Sequence, residues 1–280
     1  MNPLSFIRLF VLAAIVQLLP PMPGVAQADE IPITDTHIHY SHDAWTIFPP
    51  KKAVALLREA GLKRAFVSSS SDEGTQKLYQ EAPDLVVPVL RPYRRRGELS
   101  TWMHDETVLD LLKDRLEKYK YAGIGEFHAY GDDIETPVLQ GVIALAKQYD
   151  LFLHAHGDAD SIHRIFKHNP DARVLWAHSG FDTPSEVHEM LKTYPKLWAD
   201  LALRSGHSDG DQVREEWRKL FEAFPDRLML GTDTYTPERW PFVVSHAEWS
   251  REWLVSLPKP VAEGLAWKNA EALIENWKRK

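Results

Sequence analysis

Ile33-Thr34-Asp35-Thr36-His37-Ile38-His39-Tyr40 is the stretch on which the reading of this chain turns. It is a short run rich in β-branched residues, and strand alternation puts His37 and His39 on one side with Ile38 on the other. Two imidazoles at one strand end can reach a common ion. Four more segments repeat the arrangement, each an apolar run stopping at a metal-competent side chain: Glu126 in GIGEFH, His154 in LFLHAH, His178 in VLWAHSG and Asp233 in LMLGTDT.

Working outward, the strand candidates are 33–37, 63–68, 85–91, 122–127, 151–154, 173–177, 197–203 and 227–231. Amphipathic stretches separate them. Residues 50–60 end at Gly61, and 105–120 place Val108, Leu111, Leu112, Leu116 and Tyr119 at helical spacing. Thr136-Pro137 and Thr183-Pro184-Ser185-Glu186 are capped, proline-started helix beginnings, the second with capping-box spacing. Helices are also expected over 160–168 and 211–224, with a short closing helix over 268–274. Residues 239–257, with Trp240, Phe242, Trp249 and Trp253, are expected to cover part of the mouth or side. Eight strands alternating with helices imply parallel crossovers and an α/β fold, a single-domain (β/α)8 TIM barrel. A doubly wound sheet fits less well, because no Gly-x-Gly-x-x-Gly turn follows the first strand. In such a barrel the strand ends share one rim, where the chemistry is done.

Residues 1–28 have the pattern of a secretory signal peptide. Arg8 precedes an apolar run from Leu9 to Leu19, prolines follow, and Ala26-Gln27-Ala28 is a small-x-small cleavage pattern. The run is shorter than the roughly 20 residues a membrane span needs, so no stable insertion is expected once the signal is removed. The barrel is expected over 29–280, exported to a periplasm or secreted. The chain has no cysteine, which excludes disulfides, thiolate metal sites and a cysteine nucleophile. A formal net charge of −7, with dispersed Lys and Arg, argues against a nucleic-acid partner and leaves a small-molecule substrate.

The candidate metal ligands are His37, His39, Glu126, His154, His178 and Asp233. His156 lies on the same strand face as His154, and spacing does not decide between them. His154 is preferred because it is closer to the apolar run, with His156 as a second ligand candidate or substrate contact. Asp233 beside a metal-activated water can accept its proton and pass it to the leaving group, and His178 or the ion can stabilise an oxyanion. His128, on the face of Glu126, and Tyr40 are candidates to line the pocket. Arg91 and Arg204 end strands 3 and 7; guanidinium groups suit bidentate recognition of an anionic substrate.

These residues, in this order, resemble the amidohydrolase superfamily, and most closely its amidohydrolase-related branch. The resemblance also rests on Trp176-Ala177-His178-Ser179-Gly180, Leu230-Gly231-Thr232-Asp233 and Asn269-Ala270, and covers residues 31–277. It implies a barrel binding one or two divalent ions and hydrolysing an ester, lactone, amide or phosphoester bond. Some members carry a carboxylated lysine on strand 4. No lysine ends that strand here, so either Glu126 replaces the bridge or the site holds a single ion. Imidazole and carboxylate ligands suit zinc, with manganese, iron and nickel also compatible. Two other functions fit the pattern: a metal-dependent decarboxylase, told apart by CO2 release, and an inactive periplasmic metal-binding protein, which would need no proton acceptor such as Asp233.

Overall fold

The computed structural model describes residues 30–279. The signal segment expected over 1–28 lies outside them. From residue 31 onward the chain forms one compact unit. Eight parallel strands run in chain order: β1 (Ile33–Ile38), β2 (Leu62–Val67), β3 (Val86–Leu90), β4 (Gly123–His128), β5 (Phe152–His156), β6 (Val174–Trp176), β7 (Leu197–Asp200) and, after a small hairpin of β8 (Ser208–Asp209) and β9 (Gln212–Val213), β10 (Leu228–Met229). Neighbours pair in that order, and hydrogen bonds from Thr36 N to Leu230 O (3.0 Å) and Asp233 N to His37 O (2.7 Å) join the last strand to the first. The α/β barrel read from the sequence is the fold.

Eight helices follow the strands: α1 (Pro50–Glu59), α2 (Asp72–Glu81), α3 (Thr107–Lys118), α4 (Pro137–Gln148), α5 (Ala159–His168), α6 (Pro184–Thr193), α7 (Glu215–Ala223) and α8 (Phe242–Leu254). Their starts are chemically written. Thr136 accepts a hydrogen bond from Leu139 N, Asp158 from Ser161 N, and Thr183 and Glu186 form the capping box that their spacing predicts. Gly61 follows α1 with φ +67°, and an added Cβ there would meet the Arg251 guanidinium at 2.5 Å. Two elements differ from the sequence expectation. Helix α2 is not among the helices read from the sequence. Helix α7 begins at Glu215 rather than 211, because Gly210 (φ +58°) turns the chain into the β8–β9 hairpin first. The aromatic-rich stretch after residue 239 is α8, which packs Val243, Ala247, Trp253 and Leu254 inward; Arg251 donates to the carbonyls of Ile31 and Ala60.

The barrel interior is divided by depth. Phe66, Val87, Val89, Phe152, Leu175 and Met229 form an apolar layer, closed below by Ala270 and Leu273 of a short helix (Asn269–Leu273) and by Ile274 just after it. Strands β1 and β3 are buried along their whole length, as strands covered on both faces must be. Above the apolar layer the inward side chains become His37, Glu126, His154 and Asp200, all buried. Apolar burial is therefore spent at the bottom, and the polar groups are held at the rim.

Candidate metal centre

Each imidazole of the cluster is held by one ring nitrogen. His37 Nδ1 pairs with Asp200 Oδ2 (3.1 Å), His39 Nδ1 with Ser68 O (2.6 Å) and His178 Nδ1 with Ala202 O (2.9 Å). An acceptor at Nδ1 places the ring proton there and leaves the Nε2 lone pair free. Those three Nε2 atoms point at one another's neighbourhood without a hydrogen-bond partner, and so does Asp233 Oδ1. The residues are 1%, 1%, 1% and 6% exposed. Buried polar atoms are ordinarily satisfied, so four orphans in one place need a physical reason. His37, His178 and Asp233 offer ligand atoms within 4.8 Å of each other, as do His37, His39 and Glu126. His39 Nε2 stands 3.3 Å from Asp233 Oδ1 and 3.2 Å from Glu126 Oε2.

The backbone is bent to present these groups. His178, Ser179 and Gly180 are consecutive left-handed residues (φ 58°, 50° and 63°), tied down where His178 N donates to Asp200 Oδ1 (2.8 Å) and Ser179 Oγ to Asp200 O (2.7 Å). A Cβ on Gly180 would collide with the Trp176 ring. Asp233 is also left-handed (φ 53°), its carbonyl accepting from Arg239 Nε at 2.7 Å.

Asp200 is the residue the strand-end reading missed. It lies inside Leu197-Trp198-Ala199-Asp200-Leu201, fully buried, and its carboxylate accepts from His37, His154 (Nε2, 3.0 Å), and the N–H groups of His178 and Ala202 (3.0 Å). The signal was an acid within an apolar run. Burial opposes its ionisation, but His37 and His154 hold its carboxyl well below the usual range. Burial likewise opposes charge on His37, and Glu126, Asp200 and Asp233 outweigh it, drawing a proton to that ring when no other cation is near. Against the same burial, His37 and His39 bring Asp233 down to about 2.

The other expected residues separate by depth. His154 is turned to Asp200 and is buried; His156, two residues further along β5, pairs its Nδ1 with Glu126 Oε1 at 2.8 Å and borders a cleft. Nearness to the apolar run, the reason for preferring His154, is what buries it. That cleft, about 210 Å³, opens over the cluster and is lined by Ser41, Ser70, Arg91, Tyr93, Leu99, Glu126, His128, His156, Asp233 and Tyr235. The His128 ring stacks on His156 at 4.0 Å. Arg91 is in the cleft wall but ion-paired to Glu126 (2.8 Å). Two expectations do not match the geometry. Tyr40 is in the core, its hydroxyl on Phe48 O (2.7 Å), because alternation turns it away from His39. Arg204 donates to the carbonyls of His178 and Asp182 and lines a separate cleft with Thr232 and Arg239.

Eight parallel strands closed into a ring, with clustered histidines and acids at one rim, place the molecule among TIM barrels that carry a candidate metal site. The chain belongs to the amidohydrolase family, whose model matches residues 34–275. No curated protein matches the sequence significantly. Solved structures share the fold. A candidate 2-pyrone-4,6-dicarboxylic acid hydrolase from Pseudomonas putida is similar at a TM-score of 0.60 and 13% identity, over 88% of this chain and 98% of that one. Another from Acinetobacter baumannii, with citric acid bound, gives 0.56 and 11%, over 87% and 99%. An uncharacterised TIM-barrel protein of Bordetella bronchiseptica gives 0.57 and 16%, over 82% and 83%.

Proposed function

We propose that this chain is a metal-dependent hydrolase acting on an ester, lactone, amide or phosphoester bond of a small molecule. The observation that carries the reading is the set of four buried atoms that make no hydrogen bond: the Nε2 of His37, His39 and His178, and Asp233 Oδ1. Three neutral imidazoles, each braced through its other nitrogen, and one carboxylate suit a divalent cation such as zinc. When bound, the cation supplies Lewis-acid charge and brings the pKa of water toward about 7. The chain's own residues do the rest. Asp233 accepts the proton of the attacking water and returns it to the leaving group. His156 and His128 line the cleft over the cluster and are placed to meet the substrate. Tyr93, Leu99 and Tyr235 give the cleft an apolar wall, and Arg91 gives it a cation whose charge is largely spent on Glu126.

Elemental analysis of the purified protein, with assays on a panel of lactones, esters, amides and phosphoesters, tests the reading. Bound divalent metal with turnover on one of those bonds is expected. A protein that takes up no zinc, manganese, iron or nickel would sink it, and CO2 release would transfer it to the decarboxylases. Asp233→Asn should retain metal while kcat falls about 10²- to 10⁴-fold, the usual range for a lost proton acceptor. We also infer export. The pattern of residues 1–28 supports it, and the mature protein should begin after Ala28 by intact mass. Among the described residues no helix is long and apolar enough to cross a membrane.

A further inference from the structure

Arg91 follows β3 with its side chain 8% exposed, an unusual place for a guanidinium. One terminal nitrogen donates to Glu126 Oε2 (2.8 Å) and Nε donates to the Glu126 carbonyl (3.1 Å). The Tyr93 ring lies under it, 4.8 Å from Cζ. The other carboxylate oxygen of Glu126 accepts from His156 Nδ1. Both oxygens are thus engaged. Yet Glu126, His128 and His156 offer ligand atoms within 4.8 Å of one another, beside the four-atom cluster, a donor set that a second cation could use with Glu126 shared.

We propose that Arg91 stands in for that second cation: locked onto Glu126, its guanidinium holds the centre to a single divalent ion. The inference rests on the metal reading given above and goes beyond it. Charge supports it. Three carboxylates touch the His37 ring, Glu126 at 3.4 Å, Asp200 at 3.1 Å and Asp233 at 3.8 Å. One dication and one guanidinium balance them when the imidazoles are neutral. A second dication would leave two uncompensated positive charges in a desolvated site, beside a guanidinium that cannot lose its proton. Asp35 is not one of the three; its carboxylate is held deeper in the barrel by His37 N, Thr232 N and Thr232 Oγ1. Geometry agrees. A cation held between Glu126 Oε1 and His156 Nδ1 would have to replace the 2.8 Å hydrogen bond that joins them, with the Arg91 guanidinium on the other oxygen.

The test is metal stoichiometry, independent of turnover. The full chain is stripped with chelator and titrated with Zn²⁺ and separately Mn²⁺, with bound metal counted by mass spectrometry and Mn²⁺ examined by EPR. Wild type should bind one equivalent and give the spectrum of an isolated Mn²⁺. Arg91→Met should bind two, with a spin-coupled spectrum, and Arg91→Lys, which keeps the charge, should return to one. Two equivalents in wild type, two in Arg91→Lys, or one in a natively folded Arg91→Met would overturn the inference. If Arg91→Met does not fold, Arg91→Gln takes its place, with two equivalents expected and one equivalent overturning the inference. Zero equivalents in wild type is a different outcome and removes the metal reading itself.

Discussion

Replacing Asp200 with Asn should weaken metal binding although Asp200 is not among the proposed ligands. Its Oδ1 accepts from two backbone N–H groups, His178 at 2.8 Å and Ala202 at 3.0 Å, and its Oδ2 from two ring nitrogens, His37 at 3.1 Å and His154 at 3.0 Å. An asparagine has only one acceptor oxygen to divide between these pairs. Turning its amide NH2 toward the backbone would leave two buried N–H groups unsatisfied, at about 1–3 kcal/mol each. Moving a proton from Nδ1 to Nε2 of an imidazole costs much less, so the oxygen stays with the backbone and the NH2 faces the rings. His37 must then carry its proton on Nε2, the nitrogen directed at the cluster. Loss of such a supporting carboxylate typically costs about 10- to 100-fold in metal affinity, or about 1.4–2.7 kcal/mol. Competition with a chelating dye measures this directly. At saturating zinc the metal-induced gain in stability should shrink by the same amount. Wild-type affinity in a folded Asp200→Asn protein would refute the tautomer argument.

The two histidines of β5 should fail differently. His154→Ala removes a buried ring and a partner of Asp200, so urea denaturation should show a loss of about 2–5 kcal/mol. His156→Ala, at the cleft, should change stability by about 1 kcal/mol or less while activity drops; the reverse pattern would show the depth assignment to be mistaken. Asp35 gives a pH prediction. Burial raises its pKa to about 6, above the 3.8 of an ordinary aspartate, despite hydrogen bonds from Thr232 and His37 that lower it. The folded protein therefore binds the proton more tightly than the unfolded chain, so this contribution is complete below about pH 4 and is lost as pH rises through 6, by about 3 kcal/mol. Metal-free Asp35→Asn should accordingly gain stability over wild type at pH 8 and little at pH 4. Equal urea midpoints for the two proteins at pH 8 would contradict that.

Much of this molecule is local and could be read without its fold. Strand and helix alternation follows from apolar periodicity, and helix starts at Thr136 and Thr183 from side chains that reach only three residues ahead. His37-x-His39 and the strand-end acids were visible because period-two alternation assigns each residue a face. Depth was not visible. His154 and His156 share a face, and only the register of β5 against β4 and β6 places one on Asp200 and the other on Glu126. Nor could composition pair Arg91 with Glu126, 35 residues away, or bring His37 to Asp200 across 163. A residue's face is a property of its own backbone, whereas its layer and partners depend on how eight strands stagger around a closed ring. The kind of side chain available at the rim was decided by the sequence; which of them meet was decided by closure of the barrel.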